Sequence, residues 1–201
     1  MKTVPVKINP RKLRGPWAEG FALDLQTTGA TFLGYDGYGH PQFDTARSPL
    51  GELLYRLKYR GDRACLPEIV ETAAGFLRGW RLRIDATVPV PPSRAGRKSQ
   101  PVLEVAKSLC ELTGIRLCDA CVKKVKRTAE LKDVYEFSKR AAILQGAFDV
   151  DRDLTAGRRL LLFDDLYRSG ATATAVTRAL IDNGGAEAVF LLALTRTRRN
   201  P

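Results

Sequence analysis

Histidine is nearly absent from this chain: His40 is the only one in 201 residues. The four cysteines (Cys65, Cys110, Cys118, Cys121) are too few for a secreted disulfide scaffold and fit a reducing cytoplasm. Cys118-Asp119-Ala120-Cys121 is a C-x-x-C without a second pair, and His40 is far away in sequence. Zinc and redox readings are therefore weaker than buried strand or loop thiols, and no structural zinc is expected. No apolar run approaches the roughly 20 residues of a membrane span. The basic N-terminus has no apolar h-region, so it does not read as a signal peptide, and no membrane partner is expected. Repeats and low-complexity tracts are absent. Aromatic residues make up 8% and are not interleaved with the basic clusters, which leaves single-strand stacking unsupported. Acids are the minority charge, 22 against 33 Lys+Arg, for a net charge of +11 and a pI near 9.8. That balance favours anionic ligands, phosphates or nucleic acid, over cationic ones.

What is present is an ordinary 44% apolar content, enough for one large domain or one domain with an appendage. Its most informative stretch is residues 160–185, LLLFDDLYRSGATATAVTRALIDNGG. Leu160–Phe163 form a continuous apolar run, as in a strand buried on both faces of a parallel sheet. Asp164 and Asp165 follow, where the strand is expected to leave the sheet. Ser169-Gly170-Ala171-Thr172 then leads into helical spacing at Val176, Ala179, Leu180 and Asn183, stopped by Gly184-Gly185. Backbone N–H groups at a helix start attract anions. Gly170 and Ala171 admit a phosphate close to the backbone, and the Ser169 and Thr172 hydroxyls add donors. Two carboxylates beside such a cradle suit a ligand carrying a phosphate at one end and vicinal hydroxyls or Mg²⁺ nearby, the layout of a ribose 5-phosphate. The competing reading is a plain βα turn in which Asp165 and Ser169 cap the helix.

In chain order, residues 1–16 read as a basic arm or early edge element. Residues 20–35 read as a hairpin, with Phe21, Leu23 and Leu25 alternating and Thr28-Gly29 turning. Residues 34–41 form a loop rich in Gly and Tyr, and no helix start follows to support a dinucleotide site. Ser48-Pro49 opens a helix with Leu50, Leu53, Leu54 and Leu57 on one face; Lys58 and Arg60 at its end are placed to face a ligand. Pro67 opens another, with Ile69, Val70, Ala73, Ala74 and Leu77 inward. Residues 84–90 predict a strand that ends at prolines. A basic loop with Arg94, Arg97 and Lys98 follows, then a helix carrying Val102, Val105, Ala106, Leu109 and Leu112, closed by Gly114. Residues 116–122 predict a strand. The basic run Lys123, Lys124, Lys126, Arg127, Thr128 begins a long charged loop. A short helix is expected over 137–144, strands over 146–150 and 188–194, and an Arg-rich end at Arg196, Arg198 and Arg199. Strand–helix alternation from Ile84 onward means a parallel α/β sheet.

The strand, Asp164-Asp165 and Ser169-Gly170-Ala171-Thr172 resemble the signature of the type I phosphoribosyltransferases. The wider pattern resembles the ComF family, phosphoribosyltransferase-like proteins tied to DNA uptake in natural competence. Its pieces here are residues 54–62 (LYRLKYRGD), Val88-Pro89-Val90-Pro91 with its basic loop, Arg127-Thr128, Arg140, Gly146-Ala147-Phe148 and the 164–172 signature. The resemblance implies a type I phosphoribosyltransferase-like α/β fold: a central, mostly parallel sheet flanked by helices, with a small N-terminal hood. Residues 1–62 (arm, hairpin and helix) would form the hood and residues 63–201 the core. It implies 5-phosphoribosyl 1-pyrophosphate or a nucleotide as ligand, with ligand-bridged Mg²⁺. Arg168, Ser169, Gly170, Ala171 and Thr172 would take the 5-phosphate, and Asp164 and Asp165 the ribose hydroxyls or developing positive charge. Arg94, Arg97 and Lys98 would take pyrophosphate, and the loop from Lys123 would close over the site. A cytoplasmic place in nucleotide metabolism, DNA as a further partner and a homodimer complete the expectations, with a non-catalytic ligand- or nucleic-acid-binding module as the alternative.

Overall fold

The computed structural model describes residues 3–92, 100–126 and 143–198. Its centre is a six-stranded sheet in the order β1-β2-β10-β9-β5-β6. These strands are β1 (Arg11–Lys12), β2 (Glu19–Leu25), β5 (Ala86–Pro89), β6 (Arg116–Leu117), β9 (Arg159–Tyr167) and β10 (Ala188–Arg196). All neighbours are parallel except the edge pair β1–β2. The expected α/β class with a mostly parallel sheet flanked by helices is the class observed.

β9 lies between β10 and β5, which explains its unbroken apolar run. Leu160, Leu161, Leu162 and Phe163 are all fully buried. Side chains alternate faces along a strand, so Leu160 and Leu162 join one core cluster, and Leu161 and Phe163 the other. At roughly 2 kcal/mol for each fully buried large apolar side chain, this strand ties the two halves of the core together. β10 divides in the same way: Val189, Leu191 and Ala193 on one side, Phe190, Leu192 and Leu194 on the other.

One layer consists of α1 (Pro49–Tyr59), α2 (Leu66–Trp80) and α3 (Pro101–Thr113). Ser48 caps α1: its Oγ accepts the Gly51 N–H at 3.0 Å and donates to the Leu25 carbonyl at 2.6 Å. The predicted inward faces of α1 and α2 are buried. Of the predicted face of α3, Leu112 is instead exposed. Gly114 ends α3 with φ 74°, a left-handed cap that favours glycine. The opposite layer holds α5 (Ala171–Arg178), which runs on into a π-helical turn at Ala179–Asn183, together with the N-terminal Leu13 and Trp17. A short helix, α4 (Arg152–Thr155), precedes β9.

Three expectations are corrected. The hairpin is not residues 20–35. β2 lies inside the central sheet against β10, and the two-stranded ribbon is β3 (Thr27–Tyr35) with β4 (Pro41–Arg47). β2 is covered on both faces, with Ala22 in one core cluster and Leu23 in the other while Phe21 and Leu25 are partly buried, so the alternation of Phe21, Leu23 and Leu25 marked one face and named no partner. The turn signal lies further on, at Asp36, whose Oδ1 accepts the Tyr38 and His40 N–H groups at 2.9 Å each. The strand expected over 116–122 is two: β6, and β7 (Val122–Lys124), which pairs instead with β8 (Phe148–Val150). Between them the chain turns through Cys118 and Cys121, which are joined as a disulfide with Cα atoms 5.5 Å apart. They are not the free buried thiols expected, because the turn returns the second cysteine to the first. Cys65 and Cys110 are free and buried, and burial pushes both thiols above their ordinary pKa. Among the described residues no helix is long and apolar enough to cross a membrane.

Candidate functional site

The site is built where β9 outruns its neighbour. β5 last pairs at Pro89 opposite Phe163, and the prolines at 91 and 92 carry the chain away because they offer no ladder donor. On the other side β10 stays paired as far as Arg196 opposite Tyr167. Asp164 and Asp165 therefore lie inside β9 rather than in a turn after it, on the stretch that has lost β5. This is the crevice at the carboxyl ends of the strands where open α/β sheets bind ligands.

Strand alternation sends the two acids to opposite faces. Asp164 shares the face of Leu160 and Leu162, and its Oδ1 accepts the Asp165 N–H at 2.8 Å. Burial, and then the adjacent Asp165 carboxylate, push the Asp164 carboxyl up to about 7, against the smaller opposing effects of the Asp165 and Leu166 N–H groups and Lys58. Asp165 faces α1, where its Oδ2 forms an ion pair with Lys58 Nζ. The Asp165 carbonyl lies 3.0 Å from Thr195 Oγ1, which also lies 2.7 Å from Gln26 Oε1. Arg60, the other cation expected to face a ligand, has its guanidinium 5.5 Å from the Tyr55 ring centroid.

Beyond Tyr167 the chain reverses through Arg168-Ser169-Gly170 into α5. Gly170 has φ 81°, and a Cβ there would strike Tyr167, coming within 2.7 Å of its Cζ. Glycine is needed for both reasons. Thr174 N–H bonds the Gly170 carbonyl at 2.8 Å, and Ala171 N–H reaches Ser169 Oγ at 3.4 Å. The amides opening a helix have no intrahelical partner, so those of Ala171, Thr172 and Ala173 begin the anion-attracting end. Arg168 is exposed, while Gly170 and Ala171 are buried. Beside this turn a cleft of about 540 Å³ is lined by Arg14, Gly15, Pro16, Tyr167, Ser169, Thr174 and Arg178. Sequence reasoning missed Arg14 and Arg178 as site residues. Arg178 follows Thr174 by one helical turn, a signal that was available; Arg14 arrives only because the β1 arm folds onto β2.

Of the predicted site residues Ser169 lines that cleft; Asp164 and Asp165 lie on opposite faces of β9, ahead of the turn that carries residues 168–172. Lys123 and Lys124 stand on the separate β7–β8 ribbon, where Lys124 is half-buried and burial lowers its pKa. Lys126 Nζ donates to the Gln145 carbonyl at 2.9 Å. Arg94, Arg97, Lys98, Arg127, Thr128 and Arg140 lie outside the described residues.

No family profile matches the chain. It is 26% identical over 161 residues to the competence protein ComFC of Bacillus subtilis strain 168, an alignment covering 76% of this chain and 62% of that protein. The chain therefore spans less than two thirds of that relative's length. This similarity agrees with the ComF resemblance read from the residues. Among solved structures, an adenine phosphoribosyltransferase from Trypanosoma brucei, in complex with AMP, pyrophosphate and ribose-5-phosphate, superposes with a TM-score of 0.47 at 11% identity, over 87% of this chain and 70% of that one. The adenine phosphoribosyltransferase of Saccharomyces cerevisiae superposes with a TM-score of 0.45 at 13% identity, over 82% and 83%.

Proposed function

We propose that this chain is a ComF-like phosphoribosyltransferase that binds 5-phosphoribosyl 1-pyrophosphate and transfers its phosphoribosyl group to or from a base or amine. One observation carries the reading: an acid pair on the open end of β9 runs directly into a glycine-initiated helix, with a cleft alongside. In this reading residues 168–172 hold the 5-phosphate through helix-start amides and the Ser169 and Thr172 hydroxyls. Arg14 and Arg178 add positive potential from the cleft wall. Asp164 and Asp165 face the ribose hydroxyls and the positive charge that grows on the sugar as its C1–O bond breaks. Arg94, Arg97 and Lys98 take the pyrophosphate. The β3–β4 ribbon acts as the hood over the acceptor, and the charged loop that leaves β7 after Lys124 closes the site against water.

Mg²⁺ supplies charge neutralisation at the pyrophosphate when bound. Among the described residues no three His, Cys, Asp or Glu side chains are placed to cage an ion, and Asp165 is engaged by Lys58. A magnesium there would be held mainly by the ligand's own oxygens. The similarity to the competence protein ComFC supports a role in competence; in the proposed reading the chain acts in DNA uptake, in the cytoplasm and as a homodimer.

The alternative is a non-catalytic module using its net charge of +11 on nucleic acid, through sequence-blind phosphate contacts. Thermal melts separate the two. With Mg²⁺ and 5-phosphoribosyl 1-pyrophosphate at about 100 times Kd, the native state gains about 2.7 kcal/mol, and Asp165→Asn loses transfer. A melt raised by single-stranded oligonucleotide alone selects the alternative, and no response to the sugar phosphate rejects the enzyme reading.

A further inference from the structure

Lys58 and Asp165 form the described ion pair that is, as a pair, most withdrawn from water. The Lys58 side chain is 23% exposed and that of its partner Asp165 13%. In every other described pair at least one side chain is 40% exposed or more. Removing an ammonium and a carboxylate from water is costly, so such a pair is weak support for stability alone.

Its placement is specific. Lys58 follows Leu57 and lies one helical turn beyond Leu54, both buried on the α1 face against the sheet, so the stem runs along the core and the head emerges at the end of β9. Because the acids alternate faces, Lys58 contacts Asp165 and not Asp164. We propose that Lys58 is a positioning residue for the acid pair: it grips the Asp165 carboxylate from α1 and supplies the counter-charge that lets two adjacent acids stand at one strand end. Among the described residues the other nearby cations, Arg14 and Arg178, line the cleft beside the α5 turn, and Lys58 is the cation that acts on Asp164. β10 places Ala193 opposite it, β5 has ended at Pro89, and the first turn of α5 carries no acid and opens on Ala171 and Thr172. β2 adds only another acid, the buried Asp24, two strands away. Lys58 lowers the Asp164 pKa in part, against burial and Asp165, which raise it to about 7.

The test follows the Asp164 ¹³Cγ resonance against pH, assigned by its loss in Asp164→Asn. Lys58→Met, or Lys58→Gln if that variant melts too early to titrate, moves the Asp164 midpoint upward by about one pH unit, and Lys58→Arg restores it. A structural role alone leaves the midpoint in place; an unchanged or lowered midpoint in a folded variant overturns the proposal. A second arm rests on the phosphoribosyl reading. By calorimetry Lys58→Met weakens ribose 5-phosphate about tenfold and inorganic phosphate about twofold or less, because only the sugar reaches Asp165. Equal losses for both ligands overturn the positioning role. If the wild-type protein binds neither, the phosphoribosyl reading falls, and the carboxyl titration still decides Lys58.

Discussion

Asp164→Asn at two pH values tests the electrostatics of the site most directly. The native fold holds the Asp164 carboxyl at about 7 instead of the ordinary 3.8, so between those values the folded chain binds more protons than the unfolded one. Stability must then fall as pH rises through that window and level off above it. The full difference corresponds to about 4 kcal/mol, and about 2 to 4 kcal/mol allows for a half-buried carboxyl that water reaches in part. Asparagine keeps the oxygen that accepts the Asp165 N–H at 2.8 Å and removes the charge. For a chain of this size the variant should melt about 5 to 10 °C higher than wild type at pH 8 and nearly level with it at pH 4. Glu19, Asp36 and Asp62 are held below their ordinary pKa, chiefly by hydrogen bonds from the Trp80 indole, the His40 backbone and the Arg56 guanidinium. They act in the opposite sense but are common to both proteins, so they cancel in the difference. Calorimetric melts in low-salt buffer give the comparison. A gap between variant and wild type that does not change with pH would refute the reasoning. The cost fits a functional site, where a strained charge is retained against stability.

Gly170→Ala should cost about 2–3 kcal/mol, from a left-handed φ and a displaced Tyr167 ring that loses its edge-on packing with Trp17, 6.2 Å away. It should also weaken inorganic phosphate binding, and a variant of unchanged Tm would show that the turn tolerates a side chain. Ser48→Ala removes both the α1 cap and the bond to Leu25; urea melts should show about 1–2 kcal/mol lost, with phosphate binding intact. A loss of phosphate binding in that variant would mean that α1 couples to the site more widely than through Lys58.

Much of this protein was legible from local pattern. The four apolar residues of β9 and the inward faces of α1 and α2 follow from period and burial alone, because each expresses a physical demand made within one element. Gly170 and the helix start at Ala171 were legible for the same reason, since backbone sterics and unpaired amides are local properties. Partner choice was not. The spacing of Phe21, Leu23 and Leu25 marks an inward face and names no partner, and pairing with β10 buries Ala22 on the other face as well. The C-x-x-C spacing of Cys118 and Cys121 leaves thiol, zinc and redox readings open, and the turn between β6 and β7 decides for the bond.

The sequence by itself determined that an acid pair, a glycine turn and a helix start would be contiguous, because they are neighbours along the chain. Only the tertiary structure decided what meets them: Lys58 from a helix more than a hundred residues earlier, Arg14 from the folded-back arm, and an open crevice where β5 stops short. Those contacts depend on how strands are ordered in the sheet, and strand order is fixed by long-range packing between surfaces that look alike in one dimension.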